Sequence, residues 1–180
     1  MEIRIAATEH AKIVLNMSRE GTDQMPERLW KQLHQYWLSK HVDGRVPSRA
    51  DVDPIIDIPQ LVKNLILIDA RDSFTYRLVG SEVVERHGMN MTGRLSGTSG
   101  QNPKAIAEWR AAVDYVATEV KPRLLVSRIG DNDIARNVML LLPLADPDGK
   151  IEMLLVGSFY NEHFQRGAHI DDMEAREVQL

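Results

Sequence analysis

Six histidines (His10, His34, His41, His87, His163 and His169) are the first candidates for metal binding or acid–base chemistry. A metal pair on one helix face needs ligands three or four residues apart, and no two of these histidines have that spacing. His34 and His41, seven apart, share a face of one expected helix but lie about two turns from each other, too far to clamp one ion. No metal site is expected. The glycine-rich stretch G93-R-L-S-G-T-S-G100 invites a phosphate-cradle reading, but its spacing fits neither G-x-x-x-x-G-K-[ST] nor G-x-G-x-x-G. G97-T-S-G100 is one residue short of the nucleophile elbow of serine hydrolases. With no cysteine in the chain, disulfides, cysteine-based metal sites and thiolate nucleophiles are excluded. No catalytic set emerges, and the chain is not expected to be an enzyme.

Charge narrows the classes further. The 22 basic and 26 acidic residues give a net charge of −4, and the basic ones are dispersed, which argues against nucleic acid as partner. No apolar run approaches the roughly 20 residues of a membrane span. Arg4, Glu9, His10 and Lys12 interrupt any signal-peptide pattern near the start. A cytoplasmic protein is expected.

What remains is a set of elements with an apolar interior. Residues 1–25 read as an N-terminal arm. A helix is expected from Pro26, with Leu29, Leu33 and Tyr36 or Trp37 at helical spacing, ended by Gly44 and Pro47. Trp30, Tyr36 and Trp37 broaden that stripe, either as core or as the anchors of a protein interface such as a homodimer. In P47-S-R-A-D-V-D-P54, Asp53 can cap a short helix opened by Pro54, and Ser48 and Asp51 are spaced for a cap upstream. L65-I-L-I-D69 and F74-T-Y-R-L-V79 read as a strand pair, S81-E-V-V-E-R-H87 as short helical turns closed by Gly88, and residues 89–102 as a loop. Pro103 opens a long helix with Ile106, Trp109, Val113, Val116 and Val120 as its apolar stripe, stopped by Pro122. Three strands follow, R123–I129, N137–L144 and I151–F159, with turns at D131-N-D133 and D146-P-D-G149. Residues 161–180 read as a polar, loose or helical tail.

The expected architecture is α+β: a five-stranded antiparallel sheet with helices on one face, preceded by an N-terminal helix. This order resembles a PAS domain, and more narrowly the single-domain PAS-like family common in alphaproteobacteria. The resemblance covers about residues 30–160 and is carried by Y36-W37, P47-S-R-A-D-V-D-P54, Y76-R-L-V-G80, G88-M-N-M-T-G93 and the closing strand near Gly157. It implies a domain over residues 26–160 with a sensory or regulatory role, taking a small ligand, a signalling partner, or both. A constitutive interaction module without ligand is the alternative, and a small enzyme using the sheet cavity the weaker one.

The resemblance leaves the cofactor unknown. Haem-binding relatives use a histidine on the long helix, which here has none, and His87 is the one nearby substitute. Light-oxygen-voltage relatives need a cysteine for their flavin adduct, which this chain lacks. Strand alternation and the helix stripe give a pocket lined by Tyr76, Leu78, Trp109, Val113, Val126, Leu140 and Val156, with Arg77 and Arg128 as polar anchors. Arg77 could instead point outward as a solubilising residue.

Overall fold

A computed structural model describes residues 24–71, 73–98, 102–129, 135–168 and 170–178. Residues 1–23 of the expected arm, His10, His169 and the D131-N-D133 turn lie outside these. The first helix, α1 (24–39), begins two residues before Pro26. The capped segment then follows as a 3-10 turn at Arg49–Asp51, a short helix α2 (Pro54–Asp57) and a second 3-10 turn at Pro59–Asn64. Pro59, where the sequence calls for a break, separates the last two, because it has no N–H to donate into the preceding turn.

Both expected caps form. The Asp51 carboxylate accepts from the Ser48 backbone N–H and hydroxyl, each at 2.8 Å, and the Asp53 side chain accepts from Ile56 N–H at 3.4 Å. Tyr36 joins this segment to α1. Its hydroxyl accepts from Asp53 N–H at 2.9 Å and donates to Asp57 at 3.0 Å, and Lys40 pairs with the same carboxylate at 2.7 Å.

Strands β1 (Leu65–Asp69) and β2 (Thr75–Val79) lead into α3 (Ser81–His87), which Gly88 closes at φ +74°, a conformation glycine adopts without strain. Helix α4 (Pro103–Glu119) precedes β3 (Arg123–Ile129), β4 (Ala135–Ala145), β5 (Ile151–Tyr160) and β6 (Asp172–Glu177). The sheet is antiparallel in the order β2-β1-β5-β4-β3-β6. In the hairpin at Asp146, that side chain accepts from Asp148 and Lys150 N–H.

The sixth strand corrects the five-stranded expectation and replaces the expected tail. In D172-M-E-A-R-E177 only Met173 and Ala175 alternate with charge, too weak a pattern to stand out as a strand. Pairing with β3 supplies what the pattern lacks, with Leu125 opposite Ala175 and Ser127 opposite Met173.

Two core layers result. Helix α4 buries Ala105, Trp109, Ala112, Val113 and Val116 against the inner face of the sheet, where Ile66, Ile68, Leu125, Leu141 and Val156 point. The opposite face holds Leu140, Leu142, Leu155 and Phe159, grouped with Trp30, Leu33, Tyr36 and Trp37 of α1. Those three aromatics are therefore packed within the chain. Trp37 Nε1–H donates to the carbonyl of Pro143 at 2.9 Å. That carbonyl is free because β4 overhangs β3, which starts opposite Leu141; for the same reason Pro143 costs the sheet no ladder bond.

Candidate functional site

Between α3, α4 and the inner sheet face the core is not filled. A cavity of about 430 Å3 opens there. Its floor is built by inward residues of five strands: Ile66, Tyr76, Met139, Ser158 and Met173. Ala105, Ile106 and Trp109 of α4 form one wall, and His87, Met89, Met91, Arg94 and Thr98 another. Gly167, Ala168 and Ile170 of the link between β5 and β6 complete it. The exposed members Met89, Arg94 and Thr98 mark the opening, while Ser158, fully buried, marks the depth.

The loop wall is held by hydrogen bonds to the β2 edge. Tyr76 N–H donates to Arg94 O at 3.0 Å, Gly93 N–H to Tyr76 O at 2.8 Å and Ser96 N–H to Phe74 O at 2.8 Å. Trp109 Nε1–H reaches Ser96 Oγ at 2.7 Å, tying helix to loop. Gly97, at φ +71°, passes close under α4, where an added Cβ would stand 2.8 Å from Arg110 Cγ. Asn102 caps α4 through Lys104 and Ala105 N–H, and its Nδ2 donates to the carbonyls of Ile170 and Asp171.

At the deep end Ser158 Oγ lies 2.9 Å from Tyr160 Oη and donates to Asn137 Oδ1 at 3.1 Å. Burial raises the pKa of both Tyr76 and Tyr160, so each hydroxyl stays protonated at neutral pH. Burial also lowers the pKa of His87, favouring neutral imidazole. Its ring lies edge-on to Tyr160, centroids 6.2 Å apart. Among the described residues no cluster of three or more His, Asp or Glu could hold a metal ion.

Of the residues singled out from sequence, Tyr76 and Trp109 line the cavity. Val113 and Val156 lie in the same core layer behind the wall. Leu140 belongs to the α1 side, and Val126 alternates with the inward-facing Leu125 and pairs with Val138 of that side. The β1–β2 register shift between Leu67 and Ile68 leaves Arg77 and Leu78 exposed. Arg77 points away from the cavity, its Nε and Nη2 at 3.1 and 2.9 Å from Asp69, an ion pair that Arg71 shares. Arg128 is half-buried beside Glu174, Nη2 to Oε2 3.6 Å, and is not on the wall. His87, offered by the sequence as a substitute pocket histidine, lines the cavity; not anticipated were Arg94, Ser158 and the methionines 89, 91, 139 and 173. The methionines carried the one readable signal, since four of the eight in the chain meet here.

An antiparallel sheet covered by helices, with a cavity between α4 and its inner face, defines an α+β domain. The sequence profile of the PAS domain matches residues 25–159, three quarters of the chain, and the protein belongs to that family. No curated protein matches it. Among solved structures it is similar to the Rhodobacter sphaeroides LOV protein, at 16% identity over 55% of this chain and 59% of that chain, with a TM-score of 0.44. It is also similar to VqmA bound to DPO, at 18% identity over 56% and 53%, TM-score 0.43. A third is the light-state structure of the blue-light photoreceptor Aureochrome1 LOV, at 15% identity over 62% and 91%, TM-score 0.41. The match takes in less than two thirds of the Rhodobacter sphaeroides and VqmA chains. Among the described residues no helix is long and apolar enough to cross a membrane.

Proposed function

We propose that this PAS domain protein is a sensor whose cavity takes a small molecule and whose surface reports occupancy to a protein partner, a second copy of the chain being one candidate. The observation that carries the reading is the cleft of about 430 Å3 between α4 and the inner sheet face, lined mainly by apolar side chains. Concave, mostly apolar spaces of this size are where small ligands bind. This favours a ligand-binding domain over an interaction module with a filled core. Catalysis is less well supported, because most polar groups of the wall are engaged in structural hydrogen bonds. In this reading the partner would meet the chain near α2, where Ile55 and Ile56 are 70% and 75% exposed. In this reading the protein works in the cytoplasm, and its lack of cysteine suits a reducing compartment.

The test is native mass spectrometry of the purified protein against its denatured mass. Extra mass lost on denaturation, and absent from a variant with the cavity filled at Ala105→Phe, is the expected result. Bare subunit mass, with no small molecule taken up from a screened library, would defeat the ligand reading.

A further inference from the structure

The polar groups of the wall can be counted off one by one. Trp109 Nε1–H is spent on Ser96, and the Thr98 hydroxyl on Leu95 O at 2.7 Å. All of the polar atoms of the Asn102 side chain are engaged, with Lys104 and Ala105 on one side and Ile170 and Asp171 on the other. Ser158 is taken by Asn137 and Tyr160, and the Tyr76 hydroxyl lies against Ser96 and the Gly97 amide. Two side chains remain. His87 has ring contacts with Tyr160 and Phe164 but no hydrogen bond among the described residues. Among the described residues the Arg94 side chain has the Met89 sulfur at 3.9 Å as its one hydrogen-bonding neighbour and no ion pair.

Arg94 is a cation and the His87 ring can donate a hydrogen bond, and among the described residues no Asp or Glu lines the cavity. A guanidinium set at the opening of a largely apolar space attracts an anion more strongly than it would in open water. Its planar fork matches the two oxygens of a carboxylate. The rest of the surface asks for an apolar body. Met89, Met91, Met139 and Met173 have unbranched side chains that reshape around irregular contents, and Trp109 supplies an aromatic edge.

We propose that the cavity selects small organic acids, the apolar body lying among the methionines and Trp109 and the acid group meeting Arg94 at the opening, with His87 left for a second polar atom. This rests on the reading that the cavity holds a ligand, and the experiment separates the two. Isothermal titration of the full chain uses three probes of one shape: 4-phenylbutyrate, 4-phenylbutan-1-ol and 4-phenylbutylamine. The acid is expected to bind at least about tenfold tighter than the amine, and tighter than the alcohol, the scale of one charge-assisted hydrogen-bond pair.

Arg94→Gln should bring acid and alcohol to within about twofold of each other. Among the described residues that side chain makes no bond beyond the methionine contact, so the variant should keep its fold, which an unchanged urea midpoint verifies. Ala105→Phe should abolish binding of all three. An alcohol or amine that binds as well as the acid, or an acid preference that survives Arg94→Gln, overturns charge selection while leaving a ligand cavity in place. Acid binding that survives Ala105→Phe places the site elsewhere and overturns the proposal. Failure of all three probes to bind overturns the proposal, and a bare native mass then removes the ligand reading as well.

Discussion

Leu33 of α1 sits directly on Gly157 of β5. A Cβ built on that glycine would stand 2.4 Å from Leu33 Cδ2 and 2.7 Å from the Phe159 ring. The glycine backbone is thus the seat that lets α1 lie flat on the outer face of the sheet, while Val156 and Ser158 on either side face the inner layer.

Gly157→Ala should lower stability by about 1–3 kcal/mol, the cost of forcing an extra carbon into a packed core. Urea denaturation measures it. Because the substitution acts on the face away from the cavity, probe binding should be retained, and loss of binding with an intact fold would show that the two faces are coupled.

Trp37→Phe removes the indole N–H that reaches the buried carbonyl of Pro143. An unsatisfied buried acceptor costs about 1–3 kcal/mol, and that is the expected loss in chemical denaturation. The number of subunits per particle in solution should not change, since the ring is 3% exposed and packed within the chain. A change from dimer to monomer at full stability would return Trp37 to the interface role that its sequence position also allows.

How far the sequence carried these assignments depends on the kind of pattern each segment holds. Helix α4 was readable because Trp109, Val113 and Val116 recur at the helical period between two prolines, and the Asp146 hairpin because its turn chemistry is local. Strand parity was not. Runs such as L124-L-V126 and V138-M-L-L-L142 are apolar at every position, since both faces of this sheet are covered, so nothing in them says that Leu125 and Met139 point inward while Val126 and Leu140 point to α1. The β1–β2 register shift turned Arg77 and Leu78 outward, and it too leaves no mark in composition. Arg94 was hidden in a loop whose course is set by hydrogen bonds to β2.

Asp69 offers a pH test. The Arg71 side chain, opposed by burial and joined by Arg71 N–H and Arg77, holds its carboxyl far below the usual carboxylate range. A group whose pKa is depressed by folding stabilises the native state fully above its unfolded value, near 4, and loses that contribution as pH falls toward the folded value. Wild-type stability should therefore drop between about pH 5 and pH 2. Asp69→Asn should be less stable at pH 7 and lose less across that range, as read by urea midpoints. Parallel pH profiles for the two proteins would contradict the assignment.

Asn102→Ala should cost about 1–2 kcal/mol through loss of the α4 cap. It also releases the carbonyls of Ile170 and Asp171. Hydrogen exchange should quicken in β6 and at the start of α4 while β1 and β5 stay protected. Uniform acceleration across the sheet would mean that the side chain acts on global stability alone.

The stretch of chain after β5 first walls the cavity with Gly167, Ala168 and Ile170, and then returns at the sheet edge as β6. Wall and edge are one continuous ribbon, pinned at Asn102 and again by the Lys104–Asp172 ion pair. A molecule in the cavity would touch the same ribbon whose far end forms the outermost rung of the sheet. On the proposed reading, an occupant of the cavity would strain that ribbon, and the strain would surface at the rim of the sheet.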